Sequence, residues 1–152
     1  MFTFICLGTR DLARAAIFYD AVMATLGHFR CDVSGEPNWE GWMGWGTYEQ
    51  HGAKELALWL CPPFDAGPAS VGNGTMVAFS ATSWKQVDDF HGAAIVHGGT
   101  CEGQPGLRPH YQPDFYAAYN RDPDGNKLAV LCRGFKQRLA SEQASASPDK
   151  LS

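Results

Sequence analysis

Arg108, His110 and Tyr111 stand close together in a stretch that also holds Pro105, Gly106, Pro109 and Pro113. An imidazole that titrates near pH ~6.5, placed beside a guanidinium, can bind an acidic ligand or shuttle a proton. Tyr119 follows on a strand-like run, where alternation puts it on one face with Ala117 and Arg121 and puts Tyr116 on the other, packed under a helix. Arg108 and His110 are therefore candidate acid–base side chains, with Tyr111 beside them. The other histidines, His28, His51, His91 and His97, are not at ligating distance in sequence from one another and read as surface or capping residues. Cys6, Cys31, Cys61, Cys101 and Cys132 form no C-x-x-C pair and no Cys/His cluster at zinc spacing. They read as reduced thiols in a cytoplasmic protein. Cys6 would be a nucleophile only with a cation beside it to lower its pKa, and its sequence neighbours supply none.

These residues are positioned by elements that occur twice. Thr3-Phe4-Ile5-Cys6-Leu7 corresponds to Thr75-Met76-Val77-Ala78-Phe79, 72 positions on, and at the same offset Phe18 falls on Phe90, Gly27 on Gly99, and Leu56-Ala57 on Leu128-Ala129. Each copy reads as strand, helix, then about three strands. Asp11 caps a first helix whose apolar stripe runs from Leu12 to Leu26, and Gly27 closes it. Phe29 to Tyr48 is expected as two irregular strands carrying Trp39, Trp42 and Trp45, which would pack on a rim or against a second subunit. Leu56 to Cys61 is a further strand, ended by Pro62-Pro63.

The second copy is expected as a strand over Thr75 to Ala81 and a helix opened by a Ser83/Gln86 capping box, burying Val87, Phe90, Ala94 and Ile95. A polar loop follows over Glu102 to Asp114. Asp122-Pro123-Asp124-Gly125 then forms a type I turn between strands Phe115 to Arg121 and Lys127 to Arg133. The expected organisation is one domain over residues 1–134: a first module at about 1–63, a linker at about 64–73 and a second module at about 74–134. Residues 135–152 form a tail, its end from Ser141 mobile or a frayed helix.

Composition bounds the function classes. The chain has 152 residues, 45% of them hydrophobic and 18% charged, with a net charge of −4, which describes a globular protein with one sizeable core. There is no basic block to bind nucleic acid. No apolar run reaches the roughly 20 residues of a membrane span, and Met1 to Arg10 lacks a signal peptide's layout.

The pattern Leu7-Gly8-Thr9-Arg10-Asp11-Leu12, Phe18-Tyr19-Asp20-Ala21-Val22 and Leu26-Gly27 resembles the vicinal oxygen chelate superfamily of glyoxalases, bleomycin-resistance proteins and extradiol dioxygenases. Pro105-Gly106-Leu107-Arg108-Pro109-His110-Tyr111, Tyr116-Ala117-Ala118-Tyr119 and Asp122-Pro123-Asp124-Gly125-Asn126 resemble its small bacterial members. The resemblance covers about residues 1–133. It implies an α+β fold in which two βαβββ modules form a cupped, eight-stranded mixed sheet around a pocket.

In the catalytic relatives such a pocket holds a divalent metal on a His of each first strand and a carboxylate of a last strand. Here those positions read Phe4, Met76, Ala129, and Ala57 or Trp59, none of which suits such a metal. The implied site is a metal-free, cofactor-free apolar pocket contacted by Phe4, Cys6, Trp59, Met76, Tyr111, Tyr119 and Ala129. The expectation is a homodimeric protein, partnered by neither nucleic acid nor membrane, that binds a small molecule such as an aromatic compound. The alternatives are a glyoxalase-like lyase, isomerase or dioxygenase, with a relocated metal or metal-free acid–base chemistry through His110, Arg108 or Tyr119, and a structural protein whose cavity is filled.

Overall fold

The computed structural model describes residues 1–146; the last part of the expected tail, 147–152, lies outside them. Strand β1 (Phe4–Gly8) leads through Thr9 and Arg10 into helix α1 (Leu12–Thr25). The Asp11 carboxylate accepts the Arg14 amide at 3.0 Å, and Gly27 takes the left-handed φ of 78° that ends the helix. Strands β2 (Met43–Glu49) and β3 (Lys54–Cys61) complete the first module. The second module repeats the order with β4 (Val77–Ser80), α2 (Trp84–Val96), β5 (Thr100–Leu107), β6 (Tyr116–Arg121) and β7 (Lys127–Cys132). Helix α3 (Phe135–Ala146) follows, so the described part of the expected tail is ordered helix. No helix among the described residues is long and apolar enough to cross a membrane.

The described strands form two sheets, ordered β1-β3-β2 and β4-β7-β6-β5, rather than the expected eight-stranded sheet. In each, the first strand runs parallel to the last and the remaining pairs are antiparallel. The missing strand of module one shrinks to a bridge between Arg30 and Trp45, flanked by bonds from Cys31 N to Gly44 O and Gly46 N to Phe29 O. Past Cys31 the chain turns away. Asp32 accepts the Ser34 amide in an Asx turn, Pro37 has no N–H for a ladder, and Asn38 sits at φ 67°. Conversely, the first part of the expected polar loop, to Leu107, belongs to strand β5, an edge strand with two register irregularities, the second of which spans Pro105, while Gly106 pairs with Ala117.

The core lies between the sheets and the helices. Phe18 and Phe90, equivalent by the repeat, are both fully buried, and the two helices pack on each other. Gly99 touches this seam: a Cβ there would come within 2.8 Å of the Phe18 ring and 2.7 Å of the Arg121 carbonyl. In α2, Val87, Phe90 and Ala94 are buried as expected, whereas Ile95 is exposed and His91 takes the fourth inward position. Ser83 caps the helix by accepting the Gln86 amide, and the Gln86 side chain reaches back one residue further than a capping box requires, to Thr82 N.

The modules are also stapled by the β6–β7 turn. Asp124, nearly fully buried, accepts the Thr9 hydroxyl at 2.6 Å, the Arg14 guanidinium at 2.9 Å and the Arg10 amide at 3.2 Å. Asp122 accepts the buried Tyr19 hydroxyl at 2.8 Å, together with the Asp124 and Asn126 amides and the Asn126 side chain. Burial, and then the Asp122 charge, push the Tyr19 phenol well above its ordinary pKa. A turn of module two thus seats on the strand–helix junction of module one.

Two stability predictions follow from this packing. Asp124→Ala strands the buried Thr9 hydroxyl without its acceptor. We expect a loss of about 2–3 kcal/mol and a melting temperature lower by about 5–10 °C in calorimetry; melting at the wild-type temperature would contradict the staple. Gly44→Ala would drive a methyl group into the Trp59 ring. It should destabilise by about 1–3 kcal/mol and change tryptophan emission, and an unaltered emission spectrum would count against that packing.

Candidate functional site

Strand alternation gives the first sheet two faces. Ile5, Leu7, Leu58 and Leu60 point toward α1 and the core, while Phe4, Cys6, Trp59 and Cys61 point away. Trp45 belongs to the core side: it is buried against Tyr19 and donates its indole N–H to Asp20, which also holds Arg30 in a bidentate pair. This pair keeps the Asp20 carboxyl below the usual carboxylate range. Trp45 is therefore not a rim residue. Trp39 and Trp42 do take the outer face, with Trp39 lying 4.3 Å from the Trp59 ring, centroid to centroid.

Between the modules runs a cleft of about 320 Å³. Phe2, Phe4 and Ala57 line one side, Val77, Ala78 and Phe79 the other, and Met23 and Trp45 contribute from the core. Its few polar groups are His28, Thr47 and Ser80. The volume and apolar lining suit a small organic ligand. The flanking strands β1 and β4 are each paired on one side only. His28, expected as a surface or capping residue, is exposed and also lines this cleft; its sequence position after Gly27 carried no signal of the second role.

Register corrects the metal-position equivalence. Phe4 pairs with Ala57 in the first sheet, but Ala129 pairs with Ala78 in the second, not with Met76. The two modules differ here by a slip of two residues, which preserves the faces while changing the partners. Neither pair, Phe4 with Ala57 or Ala78 with Ala129, offers a donor atom for a divalent cation. No group of three or more His, Cys, Asp or Glu side chains suited to a metal occurs among the described residues. The donor set does not fit the family's metal.

The other expected site residues are scattered. Trp59 is buried under Trp39 and shares a separate recess with Phe4. Met76 precedes β4 and is half-exposed. Ala129 is buried. Cys6 is exposed, 3.4 Å from the Cys61 sulfur, and partial desolvation followed by that neighbour pushes its thiol up to about 12, the opposite direction from an activated thiol.

Arg108 donates to the Gln104 and Leu107 carbonyls and lies 5.7 Å from the centre of the Tyr119 ring. His110 and Tyr111 are exposed and in ring contact with each other. Tyr116 packs under α2 as expected, stacked on Trp84 and donating to Asp88. His91, expected at the surface, is buried with Nε2 3.3 Å from the Cys101 sulfur, and burial lowers its pKa.

No family model matches the sequence, and no curated protein matches it. Solved structures do. A glyoxalase/bleomycin resistance protein from Albidiferax ferrireducens T118 is 35% identical, with a TM-score of 0.73, and the match covers 88% of this chain and 98% of that one. A glyoxalase-related enzyme from Fulvimarina pelagi has a TM-score of 0.63 at 18% identity, covering 88% of each chain. A lactoylglutathione lyase from Agrobacterium tumefaciens has a TM-score of 0.54 at 19% identity, covering 87% of this chain and 92% of that one. The last two share the fold. The first shares sequence over nearly its whole length, and with the duplicated strand–helix–strand order it places this chain in the glyoxalase/bleomycin resistance protein family of the vicinal oxygen chelate superfamily.

Proposed function

We propose that this protein binds a small aromatic molecule in the cleft between β1 and β4 without a divalent metal. The observation that carries this reading is the chemistry of the cleft. At the register positions Phe4, Ala57 and Ala78 line it, with Ala129 buried beside Ala78, and the surrounding walls are mostly apolar. A flat ring satisfies such walls through dispersion and burial, at about 25 cal/mol per Å² of apolar area. His28, Thr47 and Ser80 give a phenol or similar group a partner.

An acid–base enzyme working through Arg108, His110 and Tyr119 has less support. The Arg108 guanidinium is engaged with backbone carbonyls, and none of the three lines the cleft.

The same reading takes residues 1–134 as one domain and the chain as a cytoplasmic homodimer. The five free thiols fit a reducing compartment. Exposed Phe2, Phe4 and Leu56 gather at the mouth of the cleft, an apolar patch that a second copy would cover. Sedimentation at the mass of two chains is the expected outcome, and a monomer at micromolar concentration would count against it.

A melting screen with 2-naphthol tests ligand binding. At 100 times the dissociation constant a ligand adds about 2.7 kcal/mol, a rise of roughly 5–10 °C. Ala78→Trp, which fills the cleft, should abolish the rise. A rise that survives this substitution would place the ligand elsewhere. Elemental analysis of the purified protein should find no stoichiometric Ni, Zn, Fe or Mn. About one metal per chain, lost on mutating Glu102 or His110, would overturn the metal-free reading.

A further inference from the structure

We infer that the recess on the outer face of the first sheet is a second binding site, selective for small organic cations of the quaternary-ammonium class. The recess has a volume of about 540 Å³ and is walled by Trp39, Trp42, Tyr48 and Trp59, with Phe4 at its edge and Glu55 beside the rings. The inference does not rest on the ligand proposed for the cleft, although Phe4 borders both.

The rings form one connected set. Trp39 lies 4.3 Å from Trp59, 5.4 Å from Tyr48 and 5.7 Å from Trp42, while Tyr48 lies 5.6 Å from Trp59. Trp59 is held down against Gly44, where a side chain would collide with its ring. Aromatic faces carry a negative quadrupole and attract cations lying over them, indole most strongly. Two of the walls, Trp39 and Trp42, are partly exposed indoles, and the third indole, Trp59, is buried beneath Trp39.

Charge points the same way. Glu55 accepts the Trp59 indole N–H at 2.7 Å. Among the described residues no Lys, Arg or His forms an ion pair with it. Lys54, its sequence neighbour, is paired with Glu49 instead. The recess lining contains no Lys or Arg. Glu36, bonded to His51 at 2.6 Å, adds a second carboxylate near Tyr48. Burial, then Glu36 and Glu55, push the Tyr48 phenol upward. A neutral apolar ligand would strip water from the Glu55 carboxylate without replacing its counter-charge, whereas a cation would supply it.

The backbone around the recess is held in unusual conformations. Asn38, Gln50 and His51 have φ of 67°, 54° and 55°, and they account for three of the four non-glycine residues at positive φ among the described residues. Asn38 and His51 line the recess themselves. At Gln50 and His51 this is the geometry of the turn that joins β2 to β3, and it fixes the hairpin that forms this side of the recess.

The test titrates the purified protein with (2-hydroxyethyl)trimethylammonium and with its neutral isostere 3,3-dimethylbutan-1-ol, following tryptophan emission. Glu55→Gln keeps an acceptor for the Trp59 indole and removes only the charge. Saturable binding of the cation is expected in the millimolar range or tighter, with the neutral alcohol at least ~10-fold weaker. Glu55→Gln should weaken the cation by roughly 3- to 10-fold and leave the alcohol unchanged. Should Glu55→Gln lower the melting temperature, Trp42→Leu at the same recess supplies the comparison and should weaken the cation by a similar factor. Equal binding of the two compounds, an unchanged cation affinity in the folded variant, or no saturation by ~50 mM would overturn the inference.

Discussion

Two buried aspartates on one turn hold the architecture in register. Asp122 and Asp124 belong to the hairpin of the second module, yet they bind Tyr19, Thr9, Arg14 and the Arg10 amide of the first. A buried carboxylate is stabilising only when its lone pairs are satisfied; Asp124 takes its donors from across the module boundary, and Asp122 combines Tyr19 from across it with donors of its own turn. The staple, with α1 packed on α2 and Phe18 against Gly99, sets how the two sheets face each other. The apolar cleft is the consequence. Two strands bonded on one side only meet across it, and it is lined by what each presents there.

The duplication was legible where local rules decide structure. Both helices begin at residues 72 apart, Asp11 and Ser83, each an N-cap with its own side-chain bond, and both bury a Phe at the same turn. Strands obey a different constraint. Their register is set by pairing across the sheet, so identical offsets in sequence gave Phe4–Ala57 in one module and Ala78–Ala129 in the other. A slip of two leaves the inward and outward faces unchanged, so the apolar character of the ligand positions was readable although their partners were not.

The tryptophan series shows why the rest was hidden. Trp39, Trp42 and Trp45 are evenly spaced in sequence, but Trp45 is in a strand and faces the core, whereas Trp39 precedes it in an irregular segment and folds over Trp59. Spacing alone cannot separate those environments when glycines, Gly41 at φ 80° among them, redirect the chain between them. Likewise, Pro105-Gly106 argued for a loop, and an edge strand with bulges accommodated both. The Asp-Pro-Asp-Gly sequence spelled a turn; its role as a staple depended on contacts more than 100 residues away in sequence.

This family member has the family's scaffold, and in the reading proposed above its pocket offers dispersion, burial and a few polar anchors rather than ligated metal. The measurement that reaches this claim most directly is an amide and methyl NMR titration of the metal-free protein with 2-naphthol. The account predicts saturable shifts at Ala57, Ala78 and Val77, the cleft walls, with the Arg108–Tyr111 segment undisturbed. Shifts confined to Arg108, His110 and Tyr119, or binding that appears only after a divalent metal is added, would contradict it.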